Sequence, residues 1–334
     1  MFKFLKTLSC VLMLFTASQS FASNSDSQFF IEGDLLVWQP HLEGIQRLIN
    51  VESETTSVVD GVDTGSVNLQ NKKFDFDWRA GYRLGLGYNF CSNWVLEGFW
   101  THYRGHGSKQ FSKFGLSATG HWDMDYDVVD VLLVTPACCA CGCFDWNAFG
   151  GIKVALIDSE ITTRDPLRNL SSSVFTTESI TSLIQSINHV KDKFYFHGFG
   201  PEIGVNSRYH CGCGISIFAK AAGSLVFAHF KDKVHVRDQS TDSTSIVMGS
   251  SVSRIDLLTN SRVRSGNDDF LCRPVLDLSL GVEWERNFSC CNHDSTLVVK
   301  LAWEHHQWFG FNRVALASGD LYLDGVTLSG IVRF

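Results

Sequence analysis

The sequence lacks the features of helical membrane proteins and of nucleic-acid-binding proteins. No run of eighteen apolar residues follows the N-terminal segment, which excludes a helical membrane span. The 334-residue chain has a net charge of −7 and no run of basic residues, so nucleic acid is not an expected partner. No linker rich in Pro, Gly or Ser and no shift in composition divides it. We therefore expect one domain.

The first residues, MFKFLKTLSCVLMLFTASQSFAS, have the pattern of a secretory signal peptide. Two lysines precede a short apolar run, and the small residues Ser20 and Ala22 occupy the positions before the cleavage site. Cys10 comes too early for a lipoprotein signal, and an uncleaved anchor would be too short to span a bilayer. We predict a signal peptide over residues 1–22 and a mature domain over residues 23–334.

Polar and apolar residues alternate with a period of two along most of the mature chain. In RAGYRLGLGYNF (79–90), Tyr82 and Leu84 lie on one parity and Arg83 on the other, which predicts a strand with one apolar face. After the short turn CSN the next stretch repeats the pattern, so the pair predicts a hairpin. The same alternation recurs from Trp146, Ile203, Ile215, Leu276 and Leu297.

Aromatic residues favour a transmembrane barrel over a soluble sandwich. A sandwich would bury the apolar faces against a second sheet, and alternation alone does not exclude it. Aromatic residues of the apolar parity, however, lie toward the strand ends, where a barrel places its interfacial girdles. The alternative to interfacial girdles is that these aromatic residues pack in a protein core. The residues concerned are Tyr82, Tyr88, Trp94, Trp100, Trp146, Trp284 and Trp303.

The C-terminal strand and the lengths of the connections support the same fold class. In LDGVTLSGIVRF, Val332 and Phe334 share the apolar parity, and this ending resembles the assembly signal of bacterial outer-membrane barrels. Short turns alternate with connections at about 40–73, 104–120, 159–193, 231–270 and 307–320. We predict an all-β fold: a transmembrane antiparallel β-barrel of the bacterial outer membrane with about ten strands. Twelve would result if 231–270 added a hairpin.

Several short segments of the sequence resemble one known family. FFIEGDLLVWQPHLEG, FDFDWRAGYRLGLGYNF, MDYDVVDVLL, NAFGGIKVALID, HGFGPEIGVNSRY, RPVLDLSLGVEWE and LAWEHHQWF occur in this order. They resemble the major-outer-membrane-protein-like family of chlamydia-related bacteria and Legionella over nearly the whole mature chain. The resemblance implies a pore-forming barrel in the cell outer membrane, and it supplies no catalytic residue, metal or cofactor.

Charged residues on the polar parity are the candidate pore lining. Groups of both signs facing a water-filled channel set its ion preference. The alternative is that they pair with each other and plug a narrow barrel. The candidates are Arg83, Glu97, Lys153, Glu202, Arg208, Lys220, Asp277, Glu283, Lys300, Glu304 and Arg333. We expect a weakly selective aqueous channel for small hydrophilic solutes.

Two further patterns bear on function, the first on how the channel mouth is closed and the second on whether the barrel is an enzyme instead of a channel. Ile180, Leu183, Ile184 and Ile187 have the spacing of an amphipathic helix that would constrict the mouth or pack on neighbouring loops. Histidines near the predicted outer ends, close in sequence to acidic residues, invite an outer-membrane hydrolase. They are His102, His106, His305 and His306, with Glu304 and Asp123 or Asp125. A structural or adhesive barrel without a conducting pore is the third class.

Most cysteines fall in the predicted periplasmic turns, and only Cys272 lies at the other end. The periplasm is oxidising and the spacings do not match C-x-x-C zinc knuckles, so disulfides are favoured over metal. The disulfide candidates are Cys91, Cys138, Cys139, Cys141, Cys143, Cys211, Cys213, Cys290 and Cys291. We expect self-association, or linkage to other cysteine-rich envelope proteins, through disulfides. The other expected partners are outer-membrane lipid and the barrel assembly machinery.

Overall fold

The computed structural model describes the backbone of residues 28–334 apart from 44–49, 60–61, 72–74, 91–92, 114–115, 176–177, 249–250, 291–292 and 315–316. The predicted signal peptide (1–22), Cys91 and Cys291 lie outside the described residues. In this part of the chain no helix is long and apolar enough to cross a membrane.

The described chain is built from β-strands. In chain order they are β1 (Gln28–Leu42), β2 (Asn50–Val59), β3 (Val62–Asn71), β4 (Asp75–Phe76), β5 (Arg79–Phe90), β6 (Trp94–Lys113), β7 (Leu116–Val134), β8 (Cys138–Cys141), β9 (Phe144–Phe175), β10 (Glu178–Gly212), β11 (Ile215–Met248), β12 (Ser251–Cys290), β13 (His293–Val314) and β14 (Ala317–Arg333).

Ten of these strands close into an antiparallel barrel. Their order around the wall is β10, β11, β12, β13, β14, β1, β5, β6, β7 and β9, and β9 pairs with β10 to close the ring. β4 and β8 add to β6 and β9, and β2 and β3 form a separate hairpin. The predicted fold class is confirmed with ten strands.

The alternative of twelve strands is wrong. The segment 231–270 does not enter the wall as a new hairpin, because it continues β11 and β12 outward as one paired ladder up to Met248 and Ser251. The connections at 104–120 and 159–193 extend β6–β7 and β9–β10 in the same way. The backbone hydrogen bonds of these long segments are therefore satisfied by cross-strand pairing.

The predicted loop helix is also wrong. Residues 180–187 lie within β10, paired on one side with β9 and on the other with β11. The segment SITSLIQSI is rich in Ser, Thr and Ile, which are weak helix formers. A ladder on both sides outweighs the helical spacing of its apolar residues.

The outward face of the barrel is an apolar band. Ile203, Leu280 and Ile152 are 71%, 61% and 54% exposed, and similar side chains continue around the ring. A band of this extent is unfavourable in water and matches the lipid-facing surface of an outer-membrane barrel. Aromatic residues of the same face lie at its two edges, with Trp94, Trp146 and Trp284 near the short turns.

The barrel interior changes character along its axis. β1 starts at the short-turn end, and its inward side chains are Glu32 and Asp34, followed by Leu36, Trp38 and Leu42. All five are buried. The half near the short turns is therefore charged, whereas the half near the long hairpins is apolar.

Candidate functional site

A cavity of about 590 Å³ occupies the charged half of the barrel. We call it the inner chamber. It reaches the short-turn end, where Asn93 and the segment Thr135, Pro136 and Ala137 line it. The structure places every sequence-predicted lumen residue on its wall: Arg83, Glu97, Lys153, Glu202, Arg208, Lys220, Asp277, Glu283, Lys300, Glu304 and Arg333.

Lys153 is the centre of one half of an ion-pair belt across the chamber. Its Nζ lies 2.9 Å from Asp130, 3.0 Å from Asp277 and 3.4 Å from Glu202. These partners come from three other strands, β7, β12 and β10. The lysine side chain is almost fully buried, so one cation holds three carboxylates together across the barrel interior.

His306 joins this cluster to a second one centred on Arg83. The His306 ring nitrogens lie 2.6 Å from Asp277 and 3.4 Å from Glu304. Arg83 donates two hydrogen bonds to Glu304, of 3.0 and 2.9 Å, and lies 3.2 Å from Asp34. A bidentate guanidinium–carboxylate pair is among the strongest charge-assisted contacts in proteins. The belt therefore runs without interruption from β10 to β1.

Below the belt the basic side chains are held more loosely. The Lys220 Nζ lies 5.0 Å from the centre of the Phe149 ring, and the Lys300 Nζ lies 3.5 Å from Glu32. Arg208 is the exception, because its Nε lies 2.5 Å from the buried Glu283 near the short turns. Lys220 and Lys300 line the chamber without belonging to the belt.

Above the belt the barrel is filled by apolar side chains, which we call the outer core. Trp38 forms its floor, with its ring 4.7 Å from the His306 ring and 5.6 Å from Tyr103. Trp308 packs on Phe196 and Phe311 at ring distances of 5.7 and 6.4 Å. The large side chains below 2% exposure in this layer include Leu36, Trp38, Tyr103, Trp122, Ile157, Phe194, Phe196, Trp308 and Phe311. The outer core separates the chamber from the long hairpins.

Three members of the belt (Asp34, Asp130 and His306) and the acidic residue Glu32 below it were not among the predicted lumen residues. Glu32 and Asp34 lie within FFIEGDLL and Asp130 within MDYDVVDVLL, where the same alternation would have placed them inward. The sequence pattern predicts His306 only as a hydrolase candidate. His306 lies two residues after Glu304 on the same strand, so both side chains have the same inward parity. This spacing could have identified His306 as a lumen residue.

The remaining histidines do not meet at one site. His102 lies 2.8 Å from Asp127 and His106 lies 2.7 Å from Asp123, and both pairs join β6 to β7. His305 pairs with Asp324 between β13 and β14, elsewhere in the barrel. All three histidines have the outward parity of their strands. Asp125 pairs with Arg104. The geometry supports separate cross-strand pairs at the outer edge of the apolar band.

The described thiols lie in the predicted places. Cys138, Cys143, Cys211 and Cys213 are exposed at the short-turn end and are not joined to one another. The His210 amide donates to the Cys143 carbonyl oxygen at 2.8 Å, which places Cys143 beside the turn that carries Cys211 and Cys213. Cys272 is exposed on β12, opposite Phe227. The side chains of Cys139, Cys141 and Cys290 lie outside the described residues.

β14 joins the C-terminus to the N-terminal strand. Val332 is opposite Ile31, and the Phe334 amide donates to the Phe29 carbonyl oxygen at 2.9 Å. The Phe334 side chain is exposed at the edge of the barrel.

The sequence matches the family model described as the Legionella pneumophila major outer membrane protein precursor over residues 22–330. The chain belongs to this family. This agrees with the closed barrel and its apolar band, so this outer-membrane protein crosses the membrane with strands. No curated protein matches the sequence.

Several solved outer-membrane proteins are similar to this member of the family. The outer membrane protease OmpT from Escherichia coli is 10% identical, covers 91% of this chain and 96% of its own, and has a TM-score of 0.36. A Pseudomonas aeruginosa FadL homologue is 6% identical, with coverages of 93% and 90% and a TM-score of 0.28. The toluene transporter TodX from P. putida is 8% identical, with coverages of 93% and 90% and a TM-score of 0.26.

Proposed function

We propose that this outer-membrane barrel is a gated channel for small hydrophilic solutes, with a weak preference for cations. The observation that carries the proposal is the charged wall of the inner chamber. Eight acidic side chains line it, against six from lysine and arginine. Charged groups without water or partners are costly to bury, so a chamber of this kind is hydrated. A hydrated wall with more acidic than basic groups attracts cations.

The outer core supplies the gate in this proposal. Its aromatic side chains fill the barrel above the ion-pair belt, so a solute crosses only when they move aside. Packed apolar layers of this kind exclude water and ions until they are displaced. We therefore expect a channel that is closed most of the time.

Planar-bilayer recording of the purified protein tests this function. We expect brief, small openings from the native chain and larger, longer ones from Phe196→Ala/Trp308→Ala, because that variant removes two rings that close the outer core. Trp284→Ala removes a lipid-facing tryptophan and serves as the control. The reversal potential in a salt gradient should show the cation preference.

A structural barrel without a conducting pore is the second candidate, and the filled outer core is the observation that favours it. The recording separates the two functions. Folded protein that stays silent both in the native form and after truncation of the outer core would overturn the channel and leave the structural role.

We further propose that thiols at the short-turn end form disulfides within and between chains. Support comes from the exposure of four thiols at this end and from the oxidising compartment that this end faces. Neighbouring chains confined to the plane of a membrane meet at high effective concentration. Adjacent cysteines such as Cys138 and Cys139 are poorly placed to bridge each other, which favours bonds to other turns or other molecules.

Gel electrophoresis of envelopes alkylated before lysis tests the disulfide proposal. We expect high-mass species that reductant converts to monomer. Cys211→Ser should weaken them, while Cys272→Ser, at the other end of the barrel, should leave them unchanged. Identical migration with and without reductant would contradict the proposal.

A further inference from the structure

Seven basic residues form one continuous patch on the outward face of β9–β12, above the apolar band. Cross-strand pairing aligns them in two rows. One row runs Arg164, His189, Arg237 and Arg262 across the four strands, and the other runs Lys191, His235 and Arg264. All have the outward parity of their strands. We call these seven residues the basic face.

The basic face is electrostatically unfavourable in the isolated chain. Like charges directly opposite each other destabilise a sheet. Nearer the membrane, the acidic residues of this face are already engaged: Glu160 with Lys191 and Lys193, and Asp268 with His229 and Lys231.

The four arginines have no such compensation. Arg164, Arg237, Arg262 and Arg264 make no ion pair with any residue that the structure describes. Burial, and after it the charges of Arg164 and Arg237, lower the pKa of the His189 imidazole. The part of this lowering that comes from the two arginines is the effect of neighbouring positive charges. An anionic ligand would relieve the repulsion.

The patch is concave rather than flat. A pocket of about 220 Å³ is lined by His189, Lys191, His235, Val236, Arg237, Arg262 and Arg264. Arginine presents a planar fork of donors that suits tetrahedral oxyanions, and three of these residues are arginines. The geometry therefore suits a ligand with several closely spaced oxyanions.

The height of the patch separates it from the lipid headgroups. The apolar band ends at Phe227 on β11, and Arg237 lies ten residues further along the same strand. At about 3.3 Å per residue and a tilt of about 45°, that distance is about 23 Å above the band. The interfacial layer on each side of the hydrocarbon is only about 5–8 Å thick. The ligand is therefore expected in the aqueous layer outside the cell.

We propose that the basic face binds a soluble sulfated polysaccharide. Adjacent strands are about 4.8 Å apart, so the row from Arg164 to Arg262 places three arginines and His189 along about 14 Å. A linear chain with repeated sulfates can cross this row and meet each one. This inference goes beyond the proposed channel function and does not depend on it, because the basic face lies outside the barrel interior.

Heparin, used as a sulfated probe, tests the proposal with the full chain in detergent micelles. Arg237→Gln/Arg262→Gln/Arg264→Gln should raise the heparin dissociation constant by about tenfold or more, since three charge-assisted contacts are lost. The matched control is Arg79→Gln/Arg104→Gln/Lys109→Gln. It removes the same charge from β5 and β6 on the same side of the membrane, where each residue already has an acidic partner.

Three outcomes overturn the proposal. Equal weakening of heparin binding in the two triple variants would show that binding depends on net charge and not on the basic face. Absence of heparin binding by the native chain would remove the ligand class. Binding to vesicles containing lipid A, lost in the patch variant while heparin does not bind, would assign the face to lipid phosphates instead. Single Arg262→Gln, expected to give a smaller loss, guards against misfolding of the triple variant.

Discussion

At the scale of single residues, Lys153 is the cation on which the ion-pair belt depends most. Three carboxylates lie within 3.4 Å of its Nζ, and its side chain is 5% exposed. Removing one partner from a buried ion cluster leaves uncompensated charge and costs about 3–5 kcal/mol.

We therefore predict that Lys153→Met lowers the free energy of unfolding by about that amount in urea titrations of the protein in lipid vesicles, followed by tryptophan fluorescence. Arg104→Gln breaks an exposed pair with Asp125 and should cost less than about 1 kcal/mol. Equal losses in the two variants would show that the belt does not stabilise the barrel.

Asp192 provides a pH-dependent prediction. It lies inward on β10, seven residues outward from the band residue Phe199, and its side chain hydrogen-bonds to Asp232, its diagonal neighbour on β11. Burial, with the hydrogen bond and charge of Asp232, raises the pKa of Asp192 to about 8. The folded state therefore keeps a proton that the unfolded state releases above its usual pKa of 3.8. Stability must then fall as the pH rises from about 4 to about 8.

Asp192→Asn removes this ionisable group. We predict that the melting temperature of the native chain falls between pH 5 and pH 9 and that the variant's falls less. Asp125→Asn, an exposed position, should follow the native chain. Thermal unfolding followed by circular dichroism checks this, and parallel curves for Asp192→Asn and the native chain would contradict it.

At the scale of elements, the turn between β10 and β11 requires glycine. Gly212, Cys213 and Gly214 all have positive φ, with 97°, 54° and 76°. A Cβ on Gly214 would lie 2.4 Å from the Glu285 carbonyl oxygen, which is closer than atoms can approach. We predict that Gly214→Ala destabilises the barrel by about 1–3 kcal/mol in the same urea assay.

The control is Gly223→Ala on β11, where a Cβ meets nothing within 4 Å. It should leave stability unchanged within about 0.5 kcal/mol. If the two variants behave alike, the turn does not impose its conformation on the chain.

Elements also show where sequence reasoning succeeds and fails. The period of two is local, so it placed Arg83 and Lys153 on the inward face without knowledge of the fold. It failed in stretches such as LLVW, where Leu36 and Trp38 are inward but their neighbours are apolar too, so the outer core gave no contrast to read. The basic face was undetectable for another reason. Arg164 and Arg262 are far apart in sequence and are brought together only by strand register.

At the scale of the whole molecule, barrel closure depends on the pairing of the first and last strands. β14 pairs with β13 on one side and with β1 on the other, from Leu42 opposite Leu321 to Phe30 opposite Arg333. Because these strands are separated by almost the entire chain, their pairing carries the largest loop-closure cost in the fold. A strand end that is recognised before closure would reduce the time spent with open edges.

Phe334 is the residue we expect to supply that recognition. Its amide completes the ladder at Phe29, yet its side chain is 59% exposed and adds little to packing within the barrel. Deleting Phe334 should therefore reduce the fraction of folded, heat-modifiable barrel in envelopes far more than it reduces the stability of protein refolded in vitro. Phe288→Ala, which removes an exposed aromatic from β12, should change neither quantity. Normal assembly of the truncated chain would show that the terminal aromatic is not an assembly signal, and equal losses in envelopes and in vitro would assign it a purely structural role.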